Sequence, residues 1–238
     1  MTAGSTTAER VLSFHEFLAG IDLQLPNGFK AVNPYAKDRS AGAAAALITD
    51  FYETFYADCL PRHLILGSSP ARRGSAITGV PFAGPEVLSR LNHELAQGYR
   101  VAPASARFLD SVIHSYGGYS AFYQNFLMGF ACPIGIISVL EGSRERNANY
   151  YDTQPLRRAV DNLLVESFRR QAECGADRSV CYVIGSGSNY KILAELNRDL
   201  QCFEELVPLP HPRYVTQYAP SRTAEFADLY LRELRRRT

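Results

Sequence analysis

The sequence predicts a three-layer α/β/α sandwich built on a central, mainly parallel sheet. Three observations lead there. Short apolar runs without polar alternation, "HLILG" at 63–67 and "VCYVIG" at 180–185, read as strands covered on both faces. Helical spacing lies between them, in Leu47, Ile48, Phe51, Tyr52 and Phe55 and again in Leu156, Val160, Leu163, Leu164 and Phe168. Each apolar run stops at glycine, serine or proline, the punctuation of turns at strand ends.

The elements follow in order. Residues 1–7 read as frayed, and 10–19 as a short helix. Residues 20–41, rich in Pro, Gly and Asn, read as a surface wrap with a mobile tip at "DRSAG". A helix over 43–56 leads into the first strand. A second helix follows Pro85 through Val87, Leu91 and Leu95, and a third spans Ser105 to Tyr116. "YSAFYQNFLMGFACPIGII" reads as a short helix entering a strand. One strong helix carries Leu156 to Phe168. The strand at 180–185 meets "SGSNY" and a helix to about Leu200, and 203–209 reads as a third strand. Ser221 is placed to cap a last helix with Phe226, Leu229, Tyr230 and Leu234 on one face. No repeat or linker interrupts the chain. At 238 residues it is long enough for one core, so the reading is one domain over 1–238, with 1–41 an N-terminal extension packed on it.

Composition narrows the setting. The formal charge is +1, so a nucleic-acid partner would need a local basic patch. Five cysteines, Cys59, Cys132, Cys174, Cys181 and Cys202, form no CxxC pair, which predicts reduced thiols and a cytoplasmic location. No apolar run reaches the roughly 18 residues of a membrane helix, and no signal peptide is seen. The histidines, among them His63, His93, His114 and His211, show no metal-ligand spacing, so no metal is expected.

Three segments follow the predicted strands and would converge on one rim, where α/β sheets place their sites. They are "GSSPARRGSAITG" after Leu66, "GSGSNY" after Ile184, and "PLPHPRYVTQY" after Val207. Glycine allows close backbone approach, and bare amides bind anions. Neither a Walker ending nor GxGxxG spacing is present. Gly185 and Gly187 fit an anion-binding turn or a structural one. Arg72 and Arg73 fit phosphate contacts or an exposed charged turn. His211 lies between two prolines beside Arg213, which fix the local backbone and could aim the imidazole. Asp152, in "NANYYD", fits a cleft wall or a loop anchor.

Taken together, these segments resemble the uracil-DNA glycosylase superfamily, closest to its single-strand-selective monofunctional type and the bacterial second branch. The family's first motif, G-x-N-P-G followed by T-G-[VI]-P-F, corresponds to "GSSPA" and "TGVPF". "FYETFYADCLPRHLILG", "CPIGI", "NYYD", "GSGSNYKILAELN" and "PLPHPRYVTQY" fit in order over roughly residues 43–235. The resemblance implies DNA repair by hydrolysis of a damaged base from DNA, uracil or a relative, by a monomer with no cofactor. The base would be flipped into a pocket formed by Gly67, Ser68, Pro70, Phe82, Phe130 and Cys132, with Phe82 as the stacking platform. His211 and Ser69 would be the catalytic residues, although alignment on the proline–arginine pair puts Leu209 at the histidine position. Arg72, Arg73, Gly185, Ser186 and Arg213, with Arg222 beside them, would hold the DNA backbone. Three positions depart from the pattern. Ser69 stands where the family has Asn or Asp to position water, Ala71 where it has glycine, and Phe130 where an Asn reads the uracil edge. Gln124 and Asn125, the nearby polar residues, read as helix surface. Two alternatives follow: a damaged-DNA or nucleotide-binding module that has lost hydrolysis, and an enzyme acting on free nucleosides or nucleotides.

Overall fold

The structure is a computed structural model that describes residues 4–36, 42–91 and 104–237. His93, Leu95 and nearly all of the tip expected at 38–42 lie outside the described residues. Along the chain run α1 (Thr7–Ala19), β1 (Phe29–Val32), α2 (Ala43–Tyr56), β2 (Arg62–Gly67), α3 (Ser75–Thr78), α4 (Pro85–Ser89), α5 (Ala104–Tyr116) and α6 (Tyr119–Asn125). There follow β3 (Phe126–Phe130), β4 (Gly135–Val139), β5 (Glu145–Ala148), α7 (Gln154–Ala159), α8 (Asp161–Glu173), β6 (Ala176–Ile184), α9 (Ser188–Leu200), β7 (Glu205–Leu209), α10 (Pro212–Tyr218) and α11 (Thr223–Arg235).

Four strands form a parallel sheet in the order β3-β2-β6-β7. Every residue of β2 and β3 is buried, which explains their unbroken apolar runs. Successive side chains enter opposite layers. On one face Ile65, Met128 and Ile184 meet Leu109, Val112 and Ile113 of α5 and Tyr230 and Leu234 of α11. On the other, Leu127 and Gly129 meet Val11 and Phe14 of α1 and Gln171 of α8. The predicted α/β/α sandwich is therefore the observed one.

Several expectations need correction. A second, antiparallel sheet, β1-β4-β5, was not legible. Its strands β1 and β5 are short and largely exposed, and "ERNA" carries charges instead of an apolar run. Residues 4–7 are not frayed. Thr6 caps α1, accepting from Glu9 N (3.1 Å) while Glu9 Oε2 accepts from Thr6 N (2.8 Å). The helix expected through Leu156–Phe168 is two helices broken at Val160 (φ −108°, ψ 0°), the first capped by Thr153. Ser221 caps nothing. It sits in a 3₁₀ turn, and α11 begins at Thr223 without a side-chain cap. Strand β6 starts at Ala176, in polar sequence, before the apolar run begins.

Arg62 fastens the N-terminal layer to the sheet. It is 1% exposed. Its guanidinium meets Asp58 with both nitrogens (2.8 and 2.9 Å) and donates from Nε to Tyr123 O (2.7 Å) and from Nη1 to Leu60 O (2.9 Å). It also lies over the Tyr56 ring (4.9 Å). The charge is thereby satisfied inside the fold, as a buried cation requires. The Asp58 carboxyl is held below its usual range, chiefly by the hydrogen bonds from Arg62.

His15 is buried without such partners. It stacks on Tyr35 (4.2 Å), meets Tyr52 edge-on (5.2 Å), and faces an interior cavity it shares with Cys174. Its Nδ1 has no hydrogen-bond partner. Burial lowers its pKa to about 3, and Tyr35, Tyr52 and Cys174 around it are all held in their neutral forms. A folded-state pKa below the unfolded value means the unfolded chain takes up the proton first. The stabilisation is thus complete above pH ~6.5 and drains away as pH falls toward 3, by up to about 1.4 kcal/mol per pH unit. Urea unfolding between pH 7 and 4 is expected to show this slope, and His15→Phe, which keeps the stack, to flatten it. Equal slopes in the two proteins would refute the assignment.

Candidate active site at the strand rim

Parallel pairing brings the three segments to one edge. Gly67 ends β2 opposite Phe130, and Ile184 ends β6 opposite Leu209. The ladders continue past the strands: Ala131 N donates to Gly67 O (2.8 Å), Cys132 N to Ser68 O (2.9 Å) and Gly185 N to Leu209 O (2.8 Å). Because β2 and β7 are separated by one strand, their ends lie about 10 Å apart within the sheet.

Phe82 and Phe130 form an aromatic step against Gly67. Their ring centroids are 4.8 Å apart at 34°. A Cβ at Gly67 would stand 2.4 Å from Phe82 Cζ and 3.1 Å from Phe130 Cδ1, so only glycine admits the Phe82 ring here. Phe82 itself has φ +55°, an unusual conformation for a bulky residue. Its N–H is held by Ser75 Oγ (3.1 Å). That backbone turns a half-exposed ring over the strand end, while Phe130 lies buried beneath it. Pro70 and Cys132 are buried behind the same loop. Burial pushes the Cys132 thiol up to about 12, so it remains a thiol and donates to Ile134 O (3.4 Å). Ser69 is half-buried next to Ser68.

His211 closes the other side. Gly185 adopts φ +103°, and a Cβ there would lie 3.9 Å from His211 Cδ2, so the ring rests against the end of β6. His211 is the N-cap of α10, and its Nδ1 accepts from Arg213 N (3.0 Å). A backbone N–H only donates, so Nδ1 is bare and the ring hydrogen sits on Nε2. Burial, helped by the Arg213 charge, holds its pKa below the ordinary value. The result is a neutral imidazole with Nε2–H as its free donor.

The basic residues are less uniform. Arg73 and Arg213 are exposed on the rim, as is Ser186. Arg213 Nε donates to Gln217 (2.9 Å). Arg72 is engaged with Glu145, by an ion pair at 3.7 Å and a hydrogen bond to its carbonyl at 3.4 Å. Arg222 is paired with Glu225 (2.8 Å). Asn125 donates to Ala121 O of its own helix (2.9 Å). His63 and His114 belong to other surroundings: His63 meets Arg237 O (3.1 Å) and His114 meets Glu86 (2.9 Å). Two residues that the sequence did not single out are Tyr214 and Tyr218 on α10. They are 49% and 72% exposed, with rings stacked at 6.2 Å and 21°. The i,i+4 aromatic spacing in "PRYVTQY" was their only signal.

Among the described residues, no three His, Cys, Asp or Glu side chains group as metal ligands, and no helix is long and apolar enough to cross a membrane. Comparison with known proteins agrees with the geometry. Residues 54–235 match the family model described as the uracil DNA glycosylase superfamily. The crystal structure of wild-type SMUG2 from Pedobacter heparinus superposes with a TM-score of 0.86 at 31% identity, covering 97% of each chain. No curated protein sequence matches. With the family's segments matched in order and its fold reproduced around them, the chain belongs to the uracil DNA glycosylase superfamily.

Proposed function

We propose that the protein is a monofunctional DNA glycosylase that hydrolyses the N-glycosidic bond of a deaminated base, uracil or a related one, everted into the rim between Phe82 and His211. The observation that carries this reading is the neutral His211, whose Nε2–H is free beside the end of β6. As the bond breaks, its electron pair leaves with the base and positive charge develops on the sugar. A fixed donor aimed at a base oxygen stabilises that anion without reorganising. Phe82 is the stacking face, worth about 1–3 kcal/mol for a base on an aromatic ring. In this reading Gly67, Ser68, Pro70, Phe130 and Cys132 shape the pocket. The backbone at Gly185 and Ser186, with Arg73 and Arg213, meets phosphates. Arg72 serves there only by leaving Glu145, while Tyr214 and Tyr218 lie against neighbouring bases. The chain acts as one domain, and the burial of Val11, Phe14 and Leu18 against the core supports counting the N-terminal segment as part of it. Neither metal nor cofactor enters the scheme.

A second reading, base recognition without hydrolysis, is favoured by one observation. Ser69 offers a hydroxyl where a longer amide or carboxylate would reach a water. One assay separates the two. Oligonucleotides carrying uracil, hypoxanthine or xanthine, single- and double-stranded, are expected to gain alkali-labile sites. Tight binding to the damaged base without product would establish the second reading instead.

Further outcomes follow from the geometry. His211→Ala is expected to lower the single-turnover rate about 100-fold or more, with base-dependent binding retained. Since the folded imidazole titrates below its usual ~6.5, the wild-type rate should stay level through that pH and fall only at lower values. A drop centred on 6.5 would contradict a neutral, half-buried ring. Gly67→Ala forces the Phe82 ring away and is expected to cost about 1–3 kcal/mol of stability. At temperatures where the variant is folded, its base binding should still be lost. Unchanged binding would show that the Phe82 platform is dispensable.

A further inference from the structure

Hydrolysis of a glycosidic bond needs a water held still and an acceptor for one of its hydrogens. Ser69 supplies only a short hydroxyl. The turn 149–152, with the end of β5 before it, supplies something longer. It crosses the rim and is tied to the segments that follow β2 and β6. On the β2 side Asn147 Oδ1 accepts from Arg72 N (2.8 Å) and Asn149 Oδ1 accepts from Ser68 Oγ (3.3 Å). On the β6 side Tyr150 donates to Asn189 Oδ1 (2.7 Å), and Asn189 in turn donates to Ile184 O (3.0 Å). Asn149 therefore stands between the end of β2 and the end of β6.

Its amide is also held in one orientation. Asp152 accepts from Asn149 N (2.9 Å) and from Asn149 Nδ2 (3.2 Å). A carboxylate only accepts, so Nδ2 must face Asp152 and Oδ1 must face Ser68. Asn149 is half-buried, whereas Asp152 is exposed. After these bonds the amide keeps one lone pair on Oδ1 and one hydrogen on Nδ2, the complement a single water needs. The Tyr151 hydroxyl, raised in pKa by burial, also contacts Ser68 and walls the same point.

We propose that Asn149 is the catalytic residue that holds the attacking water, with Asp152 and Ser68 as positioning residues that fix its amide. The inference rests on the glycosylase reading and deepens it. The water oxygen bonds to C1′ as the C1′–N bond breaks, and the bonding pair leaves on the base, which is stabilised by His211 and protonated from solvent. One water hydrogen points to Asn149 Oδ1, and the proton is released to solvent at the open rim beside Asp152.

The test uses the full chain and single-turnover cleavage of a single-stranded uracil oligonucleotide, beside binding of the same oligonucleotide with a 2′-fluoro sugar that resists cleavage. If the wild type cleaves no damaged base, the glycosylase reading itself falls. If it cleaves, Asn149→Ala is expected to lower the rate at least 100-fold with binding changed less than 3-fold. The double variant Ser69→Asn with Asn149→Ala, which moves the amide to the neighbouring position, should recover at least 10-fold of that rate. A purely structural Asn149 would not be rescued in this way. An unchanged rate, or a loss that appears equally in binding and is not rescued, overturns the proposal. Should Asn149→Ala fail to fold, Asn149→Asp keeps the size and the oxygen facing Ser68. Its rate must then fall at acid pH as the new carboxylate protonates, and a profile identical to that of the wild type overturns the proposal.

Discussion

Parallel hydrogen bonding of β2 on both sides is the constraint from which the rim is built. A strand paired in parallel with β3 and β6 has its end level with theirs, so the loops leaving all of them emerge on one edge. The ladder extends beyond the strands through Gly67 O and Ser68 O, which holds the first loop against the Cys132 segment. Gly67 adds the second condition. Its missing Cβ is the space into which Phe82 folds, and Phe130 fills the floor below. The neighbour that a side chain at Gly67 would meet is a ring fixed by its own unusual backbone.

Burial sets the protonation of both key histidines, with different consequences. His15 has no partner on Nδ1, so its neutral state is a demand placed on the fold as pH drops. His211 satisfies Nδ1 through the first turn of α10 and keeps Nε2–H free, so its neutral state serves the rim. Arg62 illustrates the opposite case, a charge retained inside because carbonyls and Asp58 surround it. The chain thus tolerates buried polar groups where they anchor layers and exposes charge at the rim.

The near-neutral total charge agrees with that distribution. Arg73 and Arg213 are exposed on the rim, and Arg72 and Arg222 have acidic residues close by. In the proposed reading, electrostatic attraction to a phosphate backbone would be local, and the exposed aromatic surface on α10 would complement it.

The sequence by itself determined the layers. Continuous apolar runs mark β2 and the apolar half of β6 as strands covered on both faces, and 3.6-residue periodicity marks the helices that cover them, so these strands, β7 as a third and the α/β/α order were legible, whereas one stretch read as a single strand holds both β3 and β4. It also located the three glycine- and proline-marked segments, because those residues have a backbone meaning that does not depend on context. Tertiary structure decided the rest. In the antiparallel sheet the outer strands β1 and β5 are short and largely exposed and have no period to read, while the buried β4 follows β3 within one apolar stretch. The break at Val160 and the empty cap at Ser221 depend on neighbours that local propensity does not see. That the His211 ring rests against the end of β6, that Phe82 folds over Gly67, and that Asn149 reaches Ser68 across 81 positions of sequence are long-range facts. They arise only when parallel strands bring distant loops within hydrogen-bonding distance.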